Sequence, residues 1–154
     1  MRASFSIPEE AFSLLEITNK EGTAPISAIV NTSLLDFEYR EYFEWECVVY
    51  ISYSYESGLP NNENYEKLNA FFDKLDTLLK HDKDHPNALF FVRLLSGGEA
   101  ECVWMLNNPD IASESLDGLI DSGDYDMEFE YRIEYDSNWE NYSYFLDREN
   151  VLEQ

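Results

Sequence analysis

The chain has 154 residues, 44% of them hydrophobic and 16% aromatic, and it carries 32 Asp and Glu against 10 Lys and Arg, a net charge of -22. Ten Phe, eleven Tyr and three Trp give it enough apolar surface to fold, which acid-rich chains with few aromatics lack. A folded domain this acidic repels nucleic acid and anionic membranes and draws basic partners. The length suits one domain, residues 1–154, with a sizeable core. Apolar runs of only a few residues predict no membrane span. Met1, Arg2 and Ala3 followed by Pro8, Glu9 and Glu10 do not resemble an export signal, so the expected compartment is cytoplasmic.

Residues 1–44 hold two strand candidates, around Phe12 to Thr18 and Ile26 to Leu35, separated by Lys20, Glu21 and Gly22. They predict a hairpin added at a sheet edge. Trp45, Cys47, Val49, Ile51, Tyr53 and Tyr55 then alternate with Glu46, Tyr50, Ser52 and Ser54, broken only by Val48, the pattern of a strand with one apolar face. Ser57, Gly58 and Pro60 end it. From Asn62 to Lys80, the residues Tyr65, Leu68, Phe72, Leu75 and Leu79 recur at helical steps and predict an amphipathic helix.

Leu89 to Leu95 and Cys102 to Leu106 flank Ser96-Gly97-Gly98-Glu99 and read as a β-hairpin. Asn108 and Pro109 open a second helix, Asp110 to Ile120, which Gly123 stops. Met127, Phe129, Tyr131, Ile133 and Tyr135 alternate with Glu128, Glu130, Arg132 and Glu134, placing core on one face and charge on the other. Trp139, Tyr142 and Phe145 or Leu146 have the spacing of a short C-terminal helix. From Trp45 the order is strand, helix, strand, strand, helix, strand. The predicted class is α+β: a ferredoxin-like βαββαβ antiparallel sheet with two helices on one face, the first and last strands adjacent.

Catalytic chemistry finds little footing. Cys47 and Cys102 lie inside apolar runs with no Cys/His grouping and read as buried thiols, expected toward opposite ends of their strand pairing and out of disulfide reach. His81 and His85 fall in a charged connection before Pro86 and read as a solvated loop rather than a metal site. No phosphate-cradling glycine motif occurs, and no carboxylate pair is differentiated for acid-base work. The expectation is a non-enzyme without cofactor or metal.

Recognition by surface remains. Asp124, Asp126, Glu128, Glu130 and Glu134 form an acidic ridge with only Arg132 opposing, and Glu46 and Tyr50 of the neighbouring strand are expected beside it. Carboxylates with Tyr suit Lys and Arg side chains.

Glu56-Ser57-Gly58-Leu59-Pro60, the helix carrying Glu66, Leu68, Leu75, Leu78 and Leu79, the Ser96-Gly97-Gly98-Glu99 turn, and above all Asp136-Ser137-Asn138-Trp139-Glu140-Asn141-Tyr142 resemble the bacterial domain of unknown function 695 over residues 45 to 146. That family is similar to the regulator of ribonuclease E activity B, a small acidic ferredoxin-like protein that acts by binding a nuclease. The chain departs from the family where a basic residue commonly follows the hairpin turn; here stand Glu99 and Glu101. The resemblance implies a protein that works by binding. Together with the charge, it leads to an expected immunity protein neutralising a basic toxin, a nuclease by preference, with a housekeeping regulator or adaptor as the alternative.

Overall fold

A computed structural model describes residues 7–17, 26–53, 62–82, 84–125 and 127–151. Its elements are β1 (Phe12–Ile17), β2 (Ile26–Asn31), β3 (Trp45–Ser52), α1 (Asn62–Lys80), β4 (Ala88–Ser96), β5 (Glu99–Leu106), α2 (Pro109–Ser122), β6 (Phe129–Tyr135) and α3 (Arg148–Val151). Short 3-10 turns at Thr32–Leu34, Arg40–Tyr42 and Ser143–Leu146 lie between them. The class is α+β. All six strands form one antiparallel sheet in the order β1-β2-β4-β5-β3-β6. The β1–β2 hairpin thus continues the sheet past β4, and its connecting Lys20, Glu21 and Gly22 lie outside the described residues.

Local chemistry sets the element ends. Asn108 accepts from the Asp110 amide at 2.9 Å, Pro109 fills the first turn of α2, and Gly123 closes it in the left-handed conformation at φ 69°. Gly97 and Gly98, at φ 62° and 82°, make the two-residue turn that joins β4 to β5. Both positive angles fit the primed turns that match strand twist.

The sheet is buried on both sides. On the helix side Cys47, Val49, Ile51, Phe90 and Trp104 meet Leu68, Leu75 and Leu79 of α1 and Leu116 of α2. Trp104 Nε1 donates to Asp76 at 2.9 Å. On the reverse side Val48, Val103, Met105, Leu89 and Phe91 meet Leu34, Phe37 and Phe43 from the β2–β3 connection and Trp139, Phe145 and Val151 from the chain after β6. The expectation of a charged, solvated reverse face is therefore corrected for the middle of the sheet. Strands apolar on both faces, as β4 and β5 are, must be covered on both faces.

Two further expectations change. Trp139 and Tyr142 do not share a helix. Trp139 stands at φ +55°, and the Asp136 carboxylate accepts from the amides of Glu140 at 2.9 Å and Asn141 at 3.1 Å. That side chain offers the backbone an alternative to a helical ladder and turns the chain back over the sheet. Cys47 and Cys102 are not at opposite ends of the β3–β5 pairing. Cys47 faces Trp104 and Cys102 faces Val49, so they are diagonal neighbours on the helix side. Such pairs sit about 7–8 Å apart, the limit of disulfide reach. Both are free and buried, and burial pushes each thiol up to about 12.

Candidate functional site

Period-two geometry sends Phe129, Tyr131 and Ile133 of β6 toward the helices and Glu130, Arg132 and Glu134 to the reverse face. In the β3–β6 register Glu130 stands opposite Tyr50, Arg132 opposite Val48 and Glu134 opposite Glu46. Glu128 precedes the strand, exposed, and its carbonyl accepts from the Ser52 amide at 3.1 Å. Glu130 and Glu134 are exposed as well. These three carboxylates do lie along one edge of the sheet. Asp124 does not join them: it sits against α1, its Oδ2 3.3 Å from Lys74 Nζ. Asp126 lies outside the described residues.

Glu46 requires a correction. It was expected on the partner-facing surface, but it is 0% exposed. The reason is the second core: Val48 interrupts the polar side of β3, and the segment after β6 closes over it. Arg132 Nη1 lies 2.8 Å from Glu46 Oε1 and 3.0 Å from Glu134 Oε2, and Arg132 Nε donates to the Tyr50 hydroxyl at 3.2 Å. Close as it is, the Glu46–Arg132 contact is off the angles of a hydrogen bond, and among the described residues neither Glu46 oxygen nor Arg132 Nη1 has a directed partner. An ion pair at 2.8 Å joins the two side chains.

Burial pushes the Glu46 carboxyl above its ordinary value, while Asn141 and Arg132 beside it pull the other way. Arg132 is raised: burial would lower it, but the Tyr50 hydroxyl and the Glu46 and Glu134 carboxylates outweigh that. Next to this pair the Tyr142 hydroxyl donates to Glu101 Oε2 at 2.6 Å, and burial followed by that carboxylate raises the phenol. Asn141 Nδ2 reaches Glu134 Oε2 at 3.5 Å. The result is one guanidinium enclosed by acids, with carboxylates left as the outward charge.

Sequence reasoning missed the roles of Glu101, Tyr142 and Asn141. All three need knowledge of how the chain after β6 folds back across β5 and β3, which no local pattern carries. The D-x-x-W-x-x-Y motif now has a physical account. Asp136 caps the reversal. Trp139 is 1% exposed, packs on Phe91 and donates from Nε1 to the Phe43 carbonyl at 2.8 Å, with the Arg40 guanidinium 5.3 Å from its ring. Tyr142 ties the reversal to β5 through Glu101.

Most of the other basic side chains among the described residues are also occupied. Lys80 pairs with Asp76 at 2.8 Å and Glu10 at 3.5 Å, and Arg148 pairs with Asp36. Arg93 donates to Asn69 at 2.8 Å over the Phe72 ring, and Arg40 donates to the carbonyls of Leu34 and Leu35 at 3.2 Å. Among the described residues only Lys67 is a basic side chain without such a partner. His81 and His85 are both exposed between α1 and β4, and among the described residues no cluster of three or more His, Cys, Asp or Glu is placed to hold a metal ion. No helix there is long and apolar enough to cross a membrane.

The family model for DUF695, a family of unknown function, matches residues 16–147. The chain belongs to that family. The match takes in β2 and part of β1, so the likeness begins well before residue 45. Neither the curated proteins nor the solved structures compared contain a match.

Proposed function

We propose that this chain is an acidic protein-binding inhibitor, an immunity-type protein that neutralises a basic toxin, with a nuclease as the preferred class of target. One observation carries the reading: among the described residues every basic side chain except Lys67 is paired with an acid or hydrogen-bonded within the chain, so the net charge of -22 meets little free positive charge at the described surface. Such a field speeds encounter with a basic partner and rejects acidic ones. Glu128, Glu130 and Glu134 are the contacting carboxylates, and Tyr50 and Arg132 hold the row from behind. Glu46 supports it from the interior.

A housekeeping regulator or adaptor is the second reading, and a particular feature favours it. The neighbours β4-β5-β3-β6 with α1 and α2 support a ferredoxin-like unit to which β1 and β2 are added, the fold expected of a relative of the ribonuclease E regulator. Affinity capture from the native host at low and high salt, with the Glu128→Gln, Glu130→Gln, Glu134→Gln triple variant as parallel bait, tests the proposal. A basic protein retained by wild type at low salt and reduced with the variant supports it; equal capture by both baits contradicts it. If the captured protein is a toxin whose activity the chain abolishes, the immunity reading holds. If it is a housekeeping nuclease whose activity is only modulated, the regulator reading replaces it.

A further inference from the structure

The opposite edge of the sheet has a different character. β1 has β2 on one side and, among the described residues, no strand on the other. The Thr32 amide donates to the Ala11 carbonyl at 2.7 Å, and in the β1–β2 register that sets the phase: residues 11, 13 and 15 turn their backbone groups to β2. Phe12, Leu14 and Glu16 therefore turn theirs outward. Their side chains lie on the helix side, where Phe12, its ring 6.1 Å from Phe90, is 57% exposed and Leu14 is 67% exposed. The other side of β1 is closed, with Leu15 in the second core and the Ser13 hydroxyl donating to the Val151 carbonyl at 3.3 Å. Glu10, which reaches Lys80 at the end of α1, extends the open row. Along this edge the chain thus presents acid, aromatic, aliphatic, acid at every second residue.

We propose that β1 is a strand-addition edge that takes an extended segment of a partner protein carrying basic, apolar, apolar, basic side chains at alternate positions. Main-chain hydrogen bonds to residues 12, 14 and 16 would hold the segment, and alternate side chains would select it. A second copy of this chain, itself at net charge -22, is opposed by charge repulsion. Antiparallel self-pairing about Ser13 sets Glu10 against Glu16, and like charges directly opposite are destabilising. The β6 edge does not fit, because Glu130, Arg132 and Glu134 are the kind of charged residues that protect an edge from strand addition. The basic character of the occupant rests on the acidic-inhibitor reading; the edge itself rests on geometry.

The test uses an acetylated, amidated heptapeptide, Lys-Thr-Val-Thr-Val-Thr-Lys, titrated calorimetrically into the full chain, with amide hydrogen exchange followed by NMR. A permuted peptide exchanges its lysines and valines, and a third carries Glu for Lys. Binding should slow exchange at the amides of Phe12, Leu14 and Glu16. Leu14→Pro removes an outward amide without touching the β2 ladder, and Leu14→Thr removes only the apolar contact; each should weaken binding by about tenfold or more. No binding, or equal binding of the permuted peptide, would overturn the proposal. Lysine-peptide protection along β6 with β1 unprotected would overturn the edge and leave the acidic-inhibitor reading in place. Equal binding of the glutamate peptide at β1 would overturn the basic occupant and with it this proposal, while the acidic-inhibitor reading is decided separately by the Glu128, Glu130, Glu134 variant.

Discussion

Trp139 is the residue whose replacement is expected to cost most, and the ordering of its variants is diagnostic. The ring is 1% exposed, packs against Phe91, and its Nε1 is the donor for the Phe43 carbonyl. Trp139→Ala should destabilise the fold by about 3 to 5 kcal/mol, the range for a large buried aromatic. Trp139→Phe keeps most of the ring and orphans the carbonyl, for about 1 to 3 kcal/mol. Glycine is ordinarily worse than alanine, but residue 139 sits at φ +55°. A left-handed L-residue costs roughly 1 to 2 kcal/mol, so Trp139→Gly should equal or exceed Trp139→Ala in stability. Guanidinium unfolding followed by far-UV circular dichroism reads all three as shifts of midpoint at constant slope. A Trp139→Ala midpoint equal to wild type, or a glycine variant clearly below the alanine one, would refute this account of the motif.

Glu46 should reveal itself through pH. Its carboxyl is raised in the folded chain by burial, so its contribution is fully present below its ordinary 4.5 and is lost as pH rises through the higher folded value. Glu46→Gln should flatten the stability profile above pH 4.5 and be no less stable than wild type at pH 7; an unchanged slope with lower stability would count against burial as the cause that dominates at this carboxyl. Tyr142→Phe leaves Glu101 without its 2.6 Å donor and should cost about 1 to 3 kcal/mol, read by the same denaturation. With their thiols held up at about 12, Cys47 and Cys102 should label with a disulfide reagent at pH 8 only as fast as the chain opens, and rapid stoichiometric labelling of the native protein would contradict their burial.

The elements with a strong period were legible from the residues. The 3.6-residue recurrence of Leu68, Leu75 and Leu79 marked α1, the alternation through Phe129, Tyr131 and Ile133 marked β6, and Gly97-Gly98 marked the hairpin. The reverse-side cover was not, because Leu34, Phe37 and Phe43 come from a connection with no periodicity and meet Trp139 and Phe145 only through long-range packing. The cost of missing it falls on Glu46: read by strand alternation alone it is a surface acid, and only the cover makes it an interior one. Trp139 misled by its spacing, since three residues to Tyr142 suit a helix but the Asp136 carboxylate captures the amides a helix would use. The exposure of Glu128, Glu130 and Glu134 needed only the period of β6.

The acidic-capture account is tested most directly by association kinetics. Stopped-flow measurement of the captured partner with wild type and with the Glu128→Gln, Glu130→Gln, Glu134→Gln variant at two ionic strengths separates steering from contact. Wild-type association should be fast and fall steeply with salt, and the variant should associate more slowly with a flatter salt dependence while dissociating at a similar rate. Identical association rates and identical salt dependence for the two proteins would contradict the claim that the β6 edge receives a basic partner.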